Sequence, residues 1–161
     1  MYSDKMHQAL NDQIHHELES AYIYLSMSAY FEAGNFPGFA HWMKMQFEEE
    51  MEHAFRFYDF IHSRGGQVKL LAISEPPVDY ESPLAAFENA LAHEQKITND
   101  IHNLYGLAME EKDYPSLSFL QWFIDEQVEE EASAGGILET LKMIGDKGHA
   151  LVMMDHQLGS R

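Results

Sequence analysis

Apolar residues recur at spacings of three and four along most of the chain, the period of a helix with one buried face. Leu10, Ile14, Leu18, Ala21, Leu25 and Ser28 form a first stripe, which stops at Gly34-Asn35-Phe36-Pro37-Gly38, a cluster of helix-breaking residues. Phe39, Met43, Phe47, Ala54, Phe57 and Ile61 form a second, ending beyond Arg64 at Gly65-Gly66. A third begins with Ser82 as N-cap and Pro83 in the first turn and continues through Leu84, Phe87, Leu91, Thr98, Ile101, Tyr105 and Ala108. Lys112-Asp113-Tyr114-Pro115 separates it from a fourth, Leu117, Leu120, Phe123, Ile124, Ala134, Ile137 and Leu141, punctuated by Gly145 and Gly148. His149 to Leu158 predicts a short terminal helix, and no segment alternates as a paired strand would.

From Gln67 to Ser82 the periodicity is lost, and Pro76, Pro77 and Pro83 forbid a helix interior. Such a long connection has a geometric use. A helix of about 27 residues is roughly 40 Å long. An extended linker of about 17 residues reaches further than that at ~3.3 Å each, so the next helix can start at the far end. Four long helices joined by short, long and short connections, with a brief fifth, predict an all-α, ferritin-like four-helix bundle with one long crossover. The 161 residues fit one domain spanning 1–161.

Polar residues interrupt the stripes near mid-helix. Glu17 lies between Ile14 and Ala21. Glu50 and His53, three apart and on one face, lie between Phe47 and Phe57. Glu94 falls between Leu91 and Thr98, and Gln127 and Glu130 fall between Ile124 and Ala134. A single Glu or His on an apolar face is usually a hydrogen-bonded core residue. Four helices carrying them at one height is a different observation, because four carboxylates cannot all stay ionised in an apolar interior. Some are protonated there, or cations neutralise them. Two divalent cations balance four carboxylates, and hard oxygen ligands with one imidazole suit iron or manganese. The halves also echo each other, Glu17 preceding Glu50-x-x-His53 as Glu94 precedes Gln127-x-x-Glu130.

Composition narrows the partners. A formal charge of -17, from 10 Lys and Arg against 27 Asp and Glu, argues against nucleic acid or an anionic membrane as partner. With no cysteine, a disulfide scaffold, thiolate-held zinc or iron–sulfur clusters, and a cysteine nucleophile are excluded. That suits a reducing cytoplasm, as does the lack of a visible signal peptide or of an apolar run near the roughly 18 residues of a membrane span. The ten Met residues read mostly as soft core filler.

The chain resembles the ferritins, most of all the bacterial non-haem ferritins, over nearly its whole length. The resemblance is carried by Glu17 with Tyr24, by Phe39-Ala40-His41-Trp42 leading into Glu49-Glu50-Met51-Glu52-His53, and by Glu94 and Asp113-Tyr114-Pro115. It continues in Phe119-Leu120-Gln121-Trp122 leading into Glu126-Gln127-Val128-Glu129-Glu130-Glu131. It implies a di-iron ferroxidase centre in which Glu17, Glu50 and His53 hold one iron and Glu50, Glu94 and Glu130 the other, with Glu50 bridging and Gln127 beside the pair. It also implies a third iron site from Glu49, Glu126, Glu129 and Glu130, with Tyr24 able to supply an electron. Bacterioferritins carry Glu-x-x-His where this chain has Gln127-x-x-Glu130. Met51 stands where they bind haem, but non-haem ferritins share it, so Met51 reads as packing and no haem is expected. The pattern departs at Leu117 and Leu120, where animal ferritins place acidic residues along a threefold iron channel. The implied function is iron storage and detoxification, with Fe(II) oxidised by dioxygen and mineral held in a homo-oligomeric shell of 24 chains. A di-iron enzyme acting on another substrate, a non-catalytic shell subunit and a plain cation-binding module remain the alternatives.

Overall fold

The computed structural model describes residues 2–145 and 147–161. Five helices follow in order: α1 Asp4–Ala33, α2 Pro37–Ser63, α3 Pro83–Glu111, α4 Tyr114–Ile144 and α5 Gly148–Leu158. No strand occurs among the described residues.

Local chemistry sets most of the ends. Ser3 caps α1 by accepting from the Met6 N–H at 3.0 Å, and Ser82 caps α3 by accepting from the Ala85 N–H at 3.1 Å, each satisfying a donor the helix leaves free. The turns between helices use the left-handed region at Asn35 (φ 59) and Lys112 (φ 55). Helix α2 is capped differently. Its N-cap residue, Phe36, has no side-chain acceptor to offer; instead the buried Asp155 of α5 accepts from the Phe39 N–H at 2.9 Å. Gly38 is required there, because a Cβ would overlap the Asp155 carbonyl.

The crossover runs along α1, as its length predicts. Asn11 accepts from the Lys69 N–H at 2.7 Å and donates to the Gln67 carbonyl at 3.3 Å. Several turns further along α1, Ser26 donates to the Pro77 carbonyl at 2.7 Å. The linker thus carries the chain from one end of the bundle to the other, so α2 and α3 run parallel to each other and antiparallel to α1 and α4.

Two apolar cores result. One gathers Tyr24, Met27, Phe31, Phe39, Trp42, Phe87 and Leu141, with Met154 and Leu158 of α5. The other gathers Met6, Leu10, Ile14, Phe57, Ile61, Ile101, Leu120 and Phe123. Their separation leaves a polar layer at mid-height. The buried face of α1 is rotated slightly from the predicted stripe: Leu25 is exposed, while Tyr24 is 1% exposed and Met27 equally hidden. The helix meets neighbours on two sides, and a stripe drawn from apolar residues alone cannot weigh one side against the other. Leu18, Phe47, Leu84, Leu91, Thr98, Tyr105, Leu117, Ile124 and Ile137 are only partly buried. Leu120 lies fully inside the second core.

Candidate metal centre

The polar layer gathers the interrupting residues from all four long helices. Glu17, Glu50, His53, Glu94, Gln127 and Glu130 are all buried, none more than 5% exposed. Each sits at mid-helix, with apolar turns on either side that hold its side chain inward.

Three ligand-type atoms converge without hydrogen-bond partners: Glu17 Oε2, Glu50 Oε2 and His53 Nδ1. His53 Nδ1 lies 3.4 Å from Glu50 Oε2 and 3.8 Å from Glu17 Oε2. Orphaned buried polar atoms are costly, and a shared cation satisfies all three. His53 also belongs to a second group with Glu126 and Glu130; its Nε2 lies 3.9 Å from Glu126 Oε1. The imidazole therefore faces carboxylates through both nitrogens. The edges of Trp122 and Phe123, with ring centroids 5.4 and 5.8 Å away, hold it in place.

Uncharged amides and one phenol hold other carboxylate oxygens of the layer. Gln13 donates to Glu17 Oε1 at 2.8 Å, and Gln46 donates to Glu130 Oε2 at 2.7 Å. Gln127 donates to Glu94 Oε2 at 3.2 Å and also lies 3.3 Å from the Glu94 carbonyl. Tyr24 donates its phenol proton to Glu94 Oε1. Glu17 and Glu50 each keep an Oε2 without a partner, and for Glu17 the Gln13 bond to the other oxygen is of the kind that orients a metal ligand.

Without a cation the layer retains protons. Burial pushes the Glu50 carboxyl well above its usual range, and the charges of Glu94 and Glu17 add to this against the opposing His53. Burial raises Glu94 to about 7, with the charge of Glu130 adding to it. Glu130 is raised mainly by burial, against the Gln46 hydrogen bond, and the partly buried Glu126 shifts the same way for the same reason. Burial alone disfavours the His53 imidazolium, but Glu17 and Glu50 outweigh it and raise His53 to about 11. Burial alone also raises Glu17, yet His53 brings it below its ordinary value. Tyr24 is raised well above 10, first by burial and then by Glu94, so it stays a neutral donor.

Two further residues behave differently. Glu49 is paired with Arg161 at 2.7 Å rather than turned to the centre. Glu129 is exposed, and neither belongs to the converging groups. The sequence pattern alone missed Gln13, Gln46 and Arg161. Only the burial of Gln13 and Gln46 marks them, and their neighbours in sequence do not reveal it. His16 pairs with Asp100 at 3.2 Å, and His93 is hydrogen-bonded to Ser20 at 2.6 Å.

Residues 7–144 match the family profile described as a ferritin-like domain. The chain belongs to the ferritin family. Its relatives include a bacterial non-heme ferritin of Bacteroides fragilis, 45% identical over 161 residues and covering 100% of both chains. Another, from Staphylococcus aureus, is 40% identical over 100% of this chain and 97% of its own. Among solved structures, an open pore ferritin of the hyperthermophilic archaeon Archaeoglobus fulgidus superposes with a TM-score of 0.99 at 50% identity, covering 100% of this chain and 99% of that one. An engineered closed form of the Archaeoglobus protein gives 0.98 at the same identity. This ferritin therefore has the all-α fold that its stripes and crossover predict, and it resembles bacterial non-heme ferritins as its motifs imply. None of its described helices is long and apolar enough to cross a membrane.

Proposed function

We propose that this ferritin is a ferroxidase and iron store. Fe(II), the substrate, binds as a pair in the mid-bundle layer. Glu17, Glu50 and His53 take one ion, and Glu50, Glu94 and Glu130 the other. Each Fe(II) gives an electron to dioxygen, which takes up two protons and leaves as hydrogen peroxide, and hydrolysis of the Fe(III) formed releases protons as ferric oxyhydroxide moves on to a cavity. The observation that carries this reading is the convergence of Glu17 Oε2, Glu50 Oε2 and His53 Nδ1 without any protein partner. The charges support it: two divalent ions neutralise the four carboxylates that burial otherwise keeps partly protonated.

The chain's own groups have distinct parts in this reading. Glu50, between the two sites, bridges the ions. Gln127 holds Glu94 and leaves room beside the pair for dioxygen. Tyr24, hydrogen-bonded to Glu94, is placed to pass an electron toward the centre. Glu126 and Glu130, with Glu49 and Glu129, form a third cation site toward which oxidised iron moves. Twenty-four chains close a shell in the cytoplasm, and their acidic surplus lines an inner wall that attracts cations.

Glu50→Ala tests the assignment, because it removes the one ligand shared by both ions. Stopped-flow measurement of aerobic Fe(II) oxidation is expected to show a loss on the order of a hundredfold or more. Oxidation at the unmodified rate would overturn the centre. Size-exclusion chromatography after stepwise iron loading tests storage: iron stopping at two per chain, or a protein running as a monomer or dimer, would overturn the shell reading.

A further inference from the structure

Arg161 lies where no helical stripe would place it. After α5 the chain turns back along α2, and the Arg161 carbonyl lies 3.0 Å from His41 Nε2. Its guanidinium stands 5.0 Å over the Trp42 ring. One of its nitrogens donates to Glu49 Oε2 at 2.7 Å, and the other donates to Gln46 Oε1. Gln46 is fully buried, and its Nε2 donates at 2.7 Å to Glu130 Oε2. One guanidinium thus reaches a carboxylate of the metal centre through one amide, and it also neutralises a carboxylate beside that centre.

We propose that Arg161 is a positioning residue and latch: it holds Glu49 out of a third cation site next to Glu126 and Glu130, and it fixes which way the Gln46 amide points. This rests on the paired-metal reading of the centre. A glutamine amide has one accepting end and one donating end. With an Arg donor on its oxygen, Gln46 presents NH2 to Glu130 and cannot present its oxygen. A cation arriving beside Glu126 meets a positive charge already seated on the Glu49 carboxylate. It must either bind without Glu49 or displace Arg161. The pair is weak enough to be displaced, since the Arg161 and Glu49 side chains are 31% and 40% exposed and such ion pairs contribute little in water. The latch therefore opens in response to the third ion and closes when that ion leaves.

The test is calorimetric titration with Zn(II), which binds without changing oxidation state, so the readout is binding rather than turnover. The unmodified protein is expected to take two tight ions per chain and a weaker third. Arg161→Gln is expected to tighten the third on the order of tenfold, since it removes a unit positive charge at close range, to weaken the second a few-fold, since Gln46 is then free to turn its oxygen toward Glu130, and to leave the first, held by Glu17, Glu50 and His53, unchanged. Arg161→Lys is expected to restore the weak third ion, and Arg161→Gln combined with Glu49→Gln to erase the gain. An unchanged third ion in Arg161→Gln overturns the latch, as does a gain that persists without the Glu49 carboxylate. Fewer than two tight ions in every protein overturns the paired-metal reading itself, and the latch with it.

Discussion

Raising the pH from about 6 to about 7 should strengthen the first cation site at least about tenfold, a factor that follows from the proton the empty centre holds on His53. His53, at about 11, is an imidazolium throughout this range and has no lone pair to offer. Glu50, pushed well above its usual range by burial, holds its proton more tightly than an exposed glutamate does. Glu17, lowered by His53, is already ionised. A cation that takes Glu17, Glu50 and His53 as ligands must therefore displace the His53 proton, and any proton on Glu50 adds to the release in the same direction. Each displaced proton makes affinity rise about tenfold per pH unit, so the His53 proton alone gives about tenfold. The sign is set by the raised values: protons held by the free protein compete with the cation, and the competition fades as pH rises. Glu94, at about 7, adds a fraction of a proton for the second ion. Zn(II) calorimetry in two buffers of different protonation enthalpy counts the protons directly. Release of less than about half a proton, or an affinity flat between these pH values, would refute this charge state of the empty centre.

Glu94 also makes metal-free stability depend on pH. Its carboxyl rises from 4.5 to about 7 on folding, so the stability it contributes is present below 4.5 and lost as pH rises through 7, a change of about 3 kcal/mol. Denaturant unfolding of the metal-free protein near pH 5 and pH 8 should show this loss, and Glu94→Gln should flatten it by about 2 to 3 kcal/mol. An unaltered pH dependence in the variant would count against the buried carboxyl. Gly38→Ala places a Cβ against the Asp155 carbonyl and must shift α5 or break the Asp155 cap on Phe39. The expected cost is about 2 to 4 kcal/mol, with α5 cut earlier in limited proteolysis; an unchanged melt and unchanged protection would show that α5 docks some other way.

The parts of the fold legible in the chain are those encoded within one turn of the residue that signals them. Ser82-Pro83 announces the start of α3 because an N-cap hydroxyl serves donors two and three residues ahead. The stripes and breakers placed the five helices, and the proline-rich span placed the crossover, because helical period and backbone restriction are local. Glu17, Glu50, His53, Glu94, Gln127 and Glu130 were legible as a set because each is a polar residue on an otherwise apolar face, and such a residue needs a partner of its own kind across the core. Their mutual distances were not legible, since spacing within a helix says nothing of how neighbouring helices are rotated.

Packing settled which side of α1 is buried, leaving Leu25 exposed beside the hidden Tyr24 and Met27. It also chose the partners that join distant parts of the chain. Asp155 caps α2 by accepting from an N–H 116 residues earlier. Gln46 reaches Glu130 across 84 residues, and Arg161 reaches Glu49 across 112. A carboxylate, an amide and a guanidinium each accept many partners with nearly equal energy in water, so the residue types do not choose among them. The folded bundle chooses, by bringing these particular groups within reach of one another. The order of residues was enough to bury acidic groups at the middle of four helices. Which oxygens of those groups the protein holds, and which are left facing one another, depends on how the four helices pack.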